Sequence, residues 1–142
     1  MSGWIGVDLD GTLATYGGWK GIDHIGEPIM PMVERVKRWI AEGRAVKIFT
    51  ARVDGGEVAI LMGDQNGVAH RDVPTVRHHI EQWCLQHIGV VLPITNVKDY
   101  GMIELWDDRA VQVEMNTGRV LGQSTRGLDE PSDASGLHKE KT

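Results

Sequence analysis

Two aspartates, one residue apart, are the residues of this sequence best suited to chemistry. Asp8 and Asp10 flank Leu9 at the end of an apolar run, so in extended backbone their side chains project from the same face. Carboxylates this close repel each other unless a cation lies beside them or one of them holds a proton. Both arrangements suit phosphoryl transfer, because Mg²⁺ binds carboxylate and phosphate oxygens, and a carboxyl group can donate and accept protons.

The Asp-x-Asp pattern alone is also compatible with a solvated Asp-Gly turn, which needs no ligand. A calcium-binding EF-hand loop is a further alternative, and it requires Asp or Asn at its fifth position and Glu at its twelfth. Those positions hold Thr12 and Trp19, which excludes an EF-hand. A polar turn and a cation site therefore both remain open on these residues alone.

Five further residues of suitable chemistry lie beside other predicted strands. Thr50 ends one strand and Arg52 follows it, Lys98 precedes another strand, and Asp107 with Asp108 ends that strand. Taken singly, each has an ordinary explanation, such as a strand-end hydrogen bond, a surface ion pair or a solvated turn. A pair of like charges is nevertheless costly without a cation nearby. All of these residues at one edge of a sheet would form a site for phosphate and metal.

The elements that would position these residues alternate between strands and helices, as judged from hydrophobic periodicity and from glycine and proline positions. We first predict a strand over Trp4–Leu9, a glycine-rich loop over Ala14–Gly26, and a helix whose apolar face runs from Ile29 to Ile40, with Pro28 and Pro31 in its first turn and Gly43 at its cap. A strand over Ala45–Thr50, a short strand or helical turn over Glu57–Met62, a turn over Asp64–Gly67 and a helix over Pro74–Ile88 closed by Gly89 follow. The last predicted elements are strands over Val90–Leu92 and Met102–Trp106 and a hairpin from Val111 to Leu121. This order predicts an α/β fold with a parallel sheet covered by helices, in which ligands bind beyond the carboxyl ends of the strands.

Length and composition indicate one soluble domain. The chain has 142 residues, 41% of them hydrophobic and 25% charged, with a formal net charge of -5. We expect a domain over residues 1–121 and a disordered tail over residues 122–142, because the tail has almost nothing to bury. The sequence shows neither a membrane span nor a secretory signal, and its net charge argues against general nucleic-acid binding. The single cysteine, Cys84, fits a buried position in a protein of the reducing cytoplasm.

The string Asp8-Leu9-Asp10-Gly11-Thr12-Leu13 after an apolar strand resembles the first signature of the haloacid dehalogenase superfamily. Thr50, Lys98 and the Asp107-Asp108 pair follow in the order of that family's other three signatures. The resemblance covers residues 4–113. It implies a Rossmann-like, three-layer α/β sandwich around a central parallel sheet.

Carried over residue by residue, the resemblance implies a Mg²⁺-dependent phosphatase. Asp8 would be the nucleophile that forms a phospho-aspartate, and Asp10 would be the general acid and base. Thr50 would hydrogen-bond the phosphoryl oxygens, and Lys98 would neutralise charge on the phosphate. The remaining implied roles are substrate contacts from Gly11, Thr12, Ala51 and Arg52, and metal ligation by Asp8, Asp10 (through its backbone carbonyl), Asp107 and Asp108.

The cap domains by which family members select substrates have no room in this chain. Only Ala14–Gly26 separates the first strand from its helix, enough for a flap hairpin, so the chain resembles the minimal, capless members. An open site predicts a nucleotide, a sugar phosphate or a nucleic-acid end as substrate, or a small substrate enclosed by the second subunit of a homo-oligomer. Residues 53–71 are another candidate for specificity or oligomer contacts. Two other classes stay open, a catalytically silent phosphate- or Mg²⁺-binding module and a partner-binding protein.

Overall fold

A computed structural model describes residues 3–53 and 73–122 of the chain. The chain divides into two compact units, Met1–Trp106 and Asp107–Thr142. All of the helices and strands assigned among the described residues belong to the first unit. The short strand or helical turn predicted over Glu57–Met62, the turn over Asp64–Gly67 and all but the first residue of the disordered tail predicted over residues 122–142 lie outside the described residues.

The first unit contains a four-stranded, all-parallel sheet with the order β3-β2-β1-β4. The strands are β1 (Trp4–Val7), β2 (Ala45–Phe49), β3 (Ile94–Thr95) and β4 (Met102–Trp106). The chain moves outward from β1 through β2 to β3 and then returns to pair β4 on the other side of β1. The strand order therefore reverses beside β1, and such a reversal creates a ligand crevice at the carboxyl ends of parallel strands. This sheet confirms the predicted α/β class.

The central strand β1 is buried along its whole length, as expected for a parallel strand with neighbours on both edges. Its last residue, Val7, lies opposite Ile48 of β2 and opposite Trp106 of β4. A Cβ atom on Gly6 would lie 3.0 Å from the Met102 methyl carbon and 3.1 Å from the Trp4 ring, so a larger residue has little room there. The carboxyl end of β1 is thus fixed by packing as well as by the two ladders of hydrogen bonds.

Helix α1 (Met30–Ala41) connects β1 to β2 and follows the predicted amphipathic pattern. Pro31 lies in its first turn, and its buried side chains are spaced one helical turn apart. These are Met32, Val33, Val36 and Trp39. The helix ends before Gly43, whose φ of +83° is the left-handed conformation that favours glycine after a helix. The Trp39 ring packs edge-on against Trp106 with their centroids 5.1 Å apart, which attaches α1 to the end of β4.

Helix α2 (Val73–His87) precedes β3 and confirms the second predicted helix, with Gly89 at φ +102° beyond its end. Its buried side chains include Val76, Ile80, Trp83 and Cys84. Burial raises the pKa of the Cys84 thiol, which fits the expected role of this cysteine as a core residue. The Arg77 guanidinium donates a hydrogen bond of 2.9 Å to the Ile94 carbonyl and so connects α2 to the edge strand.

Several predicted details of the first unit are wrong. The third strand is not Val90–Leu92 but Ile94–Thr95; Val90 and Val91 are exposed, and contact with the edge of β2 begins at Pro93, whose carbonyl accepts a hydrogen bond from the Ile48 N–H. Pro28 is not in the first turn of α1 but pairs with Ala14 in an isolated antiparallel bridge. Leu9 and Thr50, which were predicted to close β1 and β2, begin the loops that follow them.

The described part of the second unit, residues 107–122, contains the predicted hairpin in reduced form. An antiparallel bridge joins Val113 to Val120, and the turn between them has Asn116 at φ +68° and Gly118 at φ +80°. The Glu114 carboxylate accepts two hydrogen bonds from the Arg119 guanidinium, at 3.0 and 3.1 Å.

Across both described ranges, no helix has the length and apolar character needed to cross a membrane.

Candidate functional site

The turn after β1 is held by its own backbone. The Leu9 carbonyl accepts hydrogen bonds from the N–H groups of Leu13 and Ala14 at 3.0 and 2.8 Å, while the Gly11 N–H donates to the Ala14 carbonyl at 2.8 Å. Gly11 has a φ of +97°, which favours glycine at this point of the turn. Leu9, Leu13 and Ala14 are fully buried. The aspartates on either side of Leu9 are therefore carried by a compact loop with buried anchors.

Asp8 occupies the first position beyond β1. Its backbone N–H donates to the Trp106 carbonyl at 2.9 Å, so the last residue of β4 holds the start of the turn. Its half-buried carboxylate accepts a long hydrogen bond, 3.4 Å, from the hydroxyl of Thr12. Asp8 therefore lies at the carboxyl end of β1, where the strand order reverses, with the Thr12 hydroxyl as a polar neighbour.

Asp10 forms a bidentate ion pair with Arg52, which lies in a short 3-10 turn directly after β2. Arg52 Nε donates to Asp10 Oδ2 at 2.7 Å, and Arg52 Nη2 donates to Asp10 Oδ1 at 2.8 Å. The side chains are 4% and 19% exposed, respectively. Paired N–H donors matched to both carboxylate oxygens make the strongest common form of this contact. The pair joins the chain beyond β1 to the chain beyond β2, at the carboxyl ends of two adjacent strands.

The rest of the Arg52 guanidinium faces the loop between β1 and α1. Nη2 also donates to the His24 carbonyl at 2.9 Å, and the Trp19 ring lies 4.9 Å from the guanidinium carbon. The remaining nitrogen, Nη1, is buried without a hydrogen-bond partner in the part of the chain that the structure describes. A buried N–H group without an acceptor costs on the order of 1–3 kcal/mol, more when it is charged. Arg52 is therefore a buried cation with one donor group unused.

Thr50 connects Arg52 to the sheet. Its side chain is buried, and its backbone N–H donates to the Thr95 carbonyl of β3 at 2.9 Å. Its hydroxyl oxygen accepts a hydrogen bond of 3.1 Å from the backbone N–H of Arg52. Ala51, between them, is exposed. Thr50 thus orients the turn that carries Arg52, and its hydroxyl hydrogen can still be donated to a ligand.

The loop over residues 15–27, termed the flap segment, is closed at its base. The Thr15 N–H donates to the Glu27 carbonyl at 2.8 Å, next to the Ala14–Pro28 bridge. A Cβ atom on Gly26 would lie 1.9 Å from the Thr15 carbonyl oxygen, so only glycine allows the two sides of the flap segment to approach this closely. The Trp83 indole of α2 donates to the Gly26 carbonyl at 2.9 Å. The flap segment is therefore a loop that is held at its base by the Thr15–Glu27 hydrogen bond and attached to α2 by the Trp83 indole.

Lys98 lies in the short connection, residues 96–101, between β3 and β4. Its side chain is exposed and forms no hydrogen bond or ion pair within residues 3–53 and 73–122. The adjacent Asp99 accepts hydrogen bonds from the Trp4 indole at 2.9 Å and the Gly101 N–H at 2.8 Å, which lower the pKa of its carboxyl group. Because Trp4 is the first residue of β1, these contacts fix Asp99 at the amino end of the sheet. Lys98 is therefore not in contact with Asp8.

Asp107 and Asp108 begin the second unit, directly after β4. Asp107 is half-buried and Asp108 exposed. The Asp107 carboxylate accepts a hydrogen bond of 2.8 Å from the backbone N–H of Arg109, which is the local turn expected of a strand-end aspartate. These are the two residues for which the resemblance predicts metal ligation.

The donor atoms of the β1 turn suit a hard cation. Mg²⁺ prefers oxygen ligands. The Asp8 carboxylate and the Asp10 backbone carbonyl are two oxygen donors that lie two residues apart on this turn. The Asp10 carboxylate is less suited as a ligand, because both of its oxygens already accept hydrogen bonds from Arg52. The site combines a carboxylate at a sheet crevice with a buried guanidinium and a threonine hydroxyl, a set of groups that can hold a phosphoryl group.

The contact between Arg52 and Asp10 is the feature that sequence reasoning missed. The residues are 42 positions apart, and the position of Arg52 suggested only a phosphate contact or a surface ion pair. Its one signal was the placement of Arg52 and Asp10 just beyond the ends of two strands that proved to be neighbours.

Comparison of the chain with protein-family models, with curated proteins and with solved structures gave no match.

Proposed function

We propose that this protein is a Mg²⁺-dependent phosphomonoester hydrolase that forms a phospho-aspartate on Asp8, with the three-layer sandwich of the haloacid dehalogenase type. The observation that carries the proposal is the position of Asp8 and Asp10 on a rigid turn at the reversal of strand order, beside a buried guanidinium. Phosphoryl transfer needs a placed nucleophile and fixed positive charge, and these residues supply both.

The reaction takes place in two displacements. An Asp8 carboxylate oxygen attacks phosphorus while the bond to the substrate oxygen breaks, and the departing oxygen receives a proton from Asp10. A water molecule then attacks the acyl phosphate, Asp10 accepts its proton, and inorganic phosphate leaves with Asp8 restored. Thr50 donates to a phosphoryl oxygen, and the Arg52 guanidinium supplies positive charge beside it.

Mg²⁺, held by Asp8 and the Asp10 carbonyl, would neutralise charge on the transferring phosphoryl group. The shortness of the flap segment favours a nucleotide, a sugar phosphate or a nucleic-acid end as substrate. Trp19 of that segment offers an aromatic surface near Arg52 for a base or sugar.

A second function, a phosphate-binding module with weak or no turnover, is favoured by one specific observation. Both Asp10 oxygens accept hydrogen bonds from Arg52, and in that arrangement Asp10 is poorly placed to serve a leaving group. Turnover separates the two functions, since the module would bind inorganic phosphate without releasing it from esters.

The test is a phosphate-release screen over p-nitrophenyl phosphate, nucleotides, sugar phosphates and DNA with phosphorylated ends, with Mg²⁺ or with a chelator. We expect Mg²⁺-dependent release by the native protein and none by Asp8→Asn. Glu34→Gln, which removes an exposed carboxylate from α1, is the matched control and should retain full activity. Release that persists in Asp8→Asn would refute the nucleophile, and no release with any substrate would favour the binding module.

A further inference from the structure

Arg35, in the second turn of α1, is a half-buried cation without a strong acceptor in the part of the chain that the structure describes. Its Nη1 group donates a hydrogen bond of 2.9 Å to the Met32 sulfur, and its guanidinium carbon lies 5.0 Å from the centre of the Trp106 ring. A thioether is a weak acceptor, and an aromatic face attracts the charge without accepting the in-plane N–H groups. Arg52 and Arg119 differ, because each pairs with a carboxylate. Arg35 therefore retains donors for an anionic ligand.

The Trp106 ring beneath this guanidinium is held by two neighbours. The Trp39 ring packs edge-on against it with the centroids 5.1 Å apart, and its indole N–H donates to a Glu104 carboxylate oxygen at 3.1 Å. Glu104 accepts this hydrogen bond and forms no ion pair with Arg35, although the structure describes both residues. A guanidinium that lies over a fixed ring is already oriented, which lowers the entropic cost of binding a ligand.

Trp106 also brings Arg35 close to the proposed nucleophile. It is the last residue of β4, and its carbonyl accepts a hydrogen bond of 2.9 Å from the Asp8 N–H. One tryptophan side chain thus separates the guanidinium from the backbone contact that holds Asp8. Because β2 and β4 flank β1 on opposite edges, Arg52 lies on the β2 side of Asp8 and Arg35 on its β4 side.

The two guanidiniums differ in what they have left to bind. Arg52 shares its charge with Asp10 and, in the proposed reaction, lies beside the phosphoryl group that is transferred. Arg35 lies to the other side, so it suits a different anionic group of the same ligand. A phosphate group is the best match, because its oxygens accept the paired N–H donors of a guanidinium. A substrate with a single phosphate would leave Arg35 without this partner.

The phosphorylated end of a single nucleic-acid strand has both kinds of phosphate. Its terminal phosphate is a monoester, and the next phosphate along the strand carries a further negative charge. Trp19 lies 4.9 Å from Arg52, much as Trp106 lies 5.0 Å from Arg35, and single strands bind to such combinations of aromatic rings and positive charge. The net charge of -5 opposes binding along a strand, whereas two phosphates held at an end need no extended basic groove.

We propose that Arg35, lying over Trp106, binds a second phosphate group of the substrate, and that this substrate is the phosphorylated end of a single nucleic-acid strand. The inference rests on the proposed function, because the terminal phosphate is the one that Asp8 removes. Arg35 is a specificity residue. It selects a strand end over a mononucleotide and takes no part in the chemistry at Asp8.

The test measures binding by calorimetry to Asp8→Asn, which does not consume the ligand, with Mg²⁺ present. The ligands are thymidine 5′-monophosphate, thymidine 3′,5′-bisphosphate, and tetrathymidylates phosphorylated at the 5′ or the 3′ end. At least one of the strands should bind about tenfold more tightly than the monophosphate, equivalent to roughly one charged hydrogen bond. The bisphosphate should gain part of this advantage, because it carries the second phosphate without the rest of the strand.

Arg35→Gln, introduced into the same protein, should remove the advantage of the strand and leave the affinity for the monophosphate nearly unchanged. Lys37→Gln, which removes an exposed positive charge from the same helix, is the matched control and should keep the full advantage. Salt provides a readout that a structural defect would not reproduce. The slope of log affinity against log salt should fall by about 0.7 in Arg35→Gln, as expected for the loss of one phosphate contact with a single strand.

Three results would overturn the proposal. The first is a strand advantage that survives Arg35→Gln, and the second is equal affinity of Asp8→Asn for the strands and the monophosphate. The third is a bisphosphate that binds more tightly than both strands, which would assign the second phosphate to small bisphosphates. If Arg35→Gln does not fold, Arg35→Lys serves in its place; it should keep the salt slope and lose part of the advantage, because lysine keeps the charge but lacks the fork.

These results are separate from those that test the hydrolase. Strand binding that depends on Arg35, without phosphate release from any ester by the native protein, would support the second phosphate site and refute the hydrolase. Asp8-dependent release from a mononucleotide and from a strand end with equal kcat/KM would support the hydrolase and refute the second phosphate site.

Discussion

Two arginines in this protein hold a carboxylate in the same way, and their surroundings differ. Arg52 binds Asp10 through Nε and Nη2 at 2.7 and 2.8 Å, with side chains 4% and 19% exposed. Arg119 binds Glu114 through the same nitrogens at 3.0 and 3.1 Å, with side chains 64% and 41% exposed. The first pair joins residues 42 positions apart, and the second joins residues five apart in a hairpin.

The comparison teaches that fork geometry does not decide what an ion pair does. An exposed pair is screened by water and salt and adds little to stability. A buried pair is costly to form, and removing one partner leaves a charge without compensation. Arg52 and Asp10 are held together beyond the carboxyl ends of two neighbouring strands, so each depends on the other for its counter-charge.

The largest effect on stability is expected when Asp10, the buried partner of Arg52, is removed. Asp10→Ala should lower the free energy of unfolding by about 3 kcal/mol, because the Arg52 guanidinium would remain buried without a counter-charge. Glu114→Ala should lower the urea midpoint far less than Asp10→Ala, because both partners of that pair are solvated. Equal midpoints for the two variants would show that burial does not separate the pairs.

The rate at which the Cys84 thiol is chemically labelled should also distinguish the variants of the buried and the exposed ion pair. This thiol is fully buried on α2, and its raised pKa makes it a poor nucleophile in the folded chain. Labelling by a disulfide reagent should be slow in the native protein, about a hundredfold faster in Asp10→Ala if the core opens in proportion to the lost stability, and unchanged in Glu114→Ala. Fast labelling of the native protein would contradict the buried position of Cys84.

Two glycines sharpen the comparison at the level of the backbone. Gly26→Ala should cost about 2–3 kcal/mol, because its Cβ would meet the Thr15 carbonyl and separate the base of the flap segment. Gly118→Ala in the hairpin has open space around it and should cost only about 1 kcal/mol, the strain of a positive φ. Thermal midpoints would measure both, and a larger effect at Gly118 would overturn the assignment of the flap base as the tightly packed region.

The smallest effect concerns acid and salt. The Arg119 guanidinium lowers the pKa of Glu114, and the Trp4 indole with the Gly101 N–H lowers the pKa of Asp99. A depressed folded-state pKa stabilises the protein above the unfolded value, near pH 4, and this contribution is lost as the pH falls through the folded value. Asp99→Asn and Glu114→Gln should each reduce the loss of stability on acidification below about pH 4. Added salt should abolish the difference for Glu114→Gln, whose partner is a charge, and preserve it for Asp99→Asn, whose donors are neutral.

Local sequence patterns predicted the elements whose causes are local. Pro31 and Gly43 marked the start and end of α1, and Met102–Trp106 formed β4 with the predicted bounds. The strand predicted at Val90–Leu92 was wrong because an apolar triplet becomes a strand only where a neighbour offers hydrogen bonds, and β2 offers them to Ile94 and Thr95.

The candidate site could be predicted only in part for the same reason. Asp8 and Asp10 were identified because their spacing is local, and the sheet edge followed from the order of elements. The pairing of Asp10 with Arg52 depends on which strands become neighbours, and the position of Lys98 depends on how residues 96–101 cross from β3 to β4. Neither is a property of a short sequence window.

The central claim, a phospho-aspartate on Asp8, can be tested by trapping the intermediate. The protein is mixed with Mg²⁺ and a phosphoryl donor such as acetyl phosphate or the best ester of the screen, quenched rapidly, and reduced with borohydride, which converts an acyl-phosphorylated aspartate to homoserine. Peptide mass spectrometry should find homoserine at position 8 and unmodified aspartate at position 10. Homoserine at another position, or phosphate release without any reducible intermediate, would contradict the account.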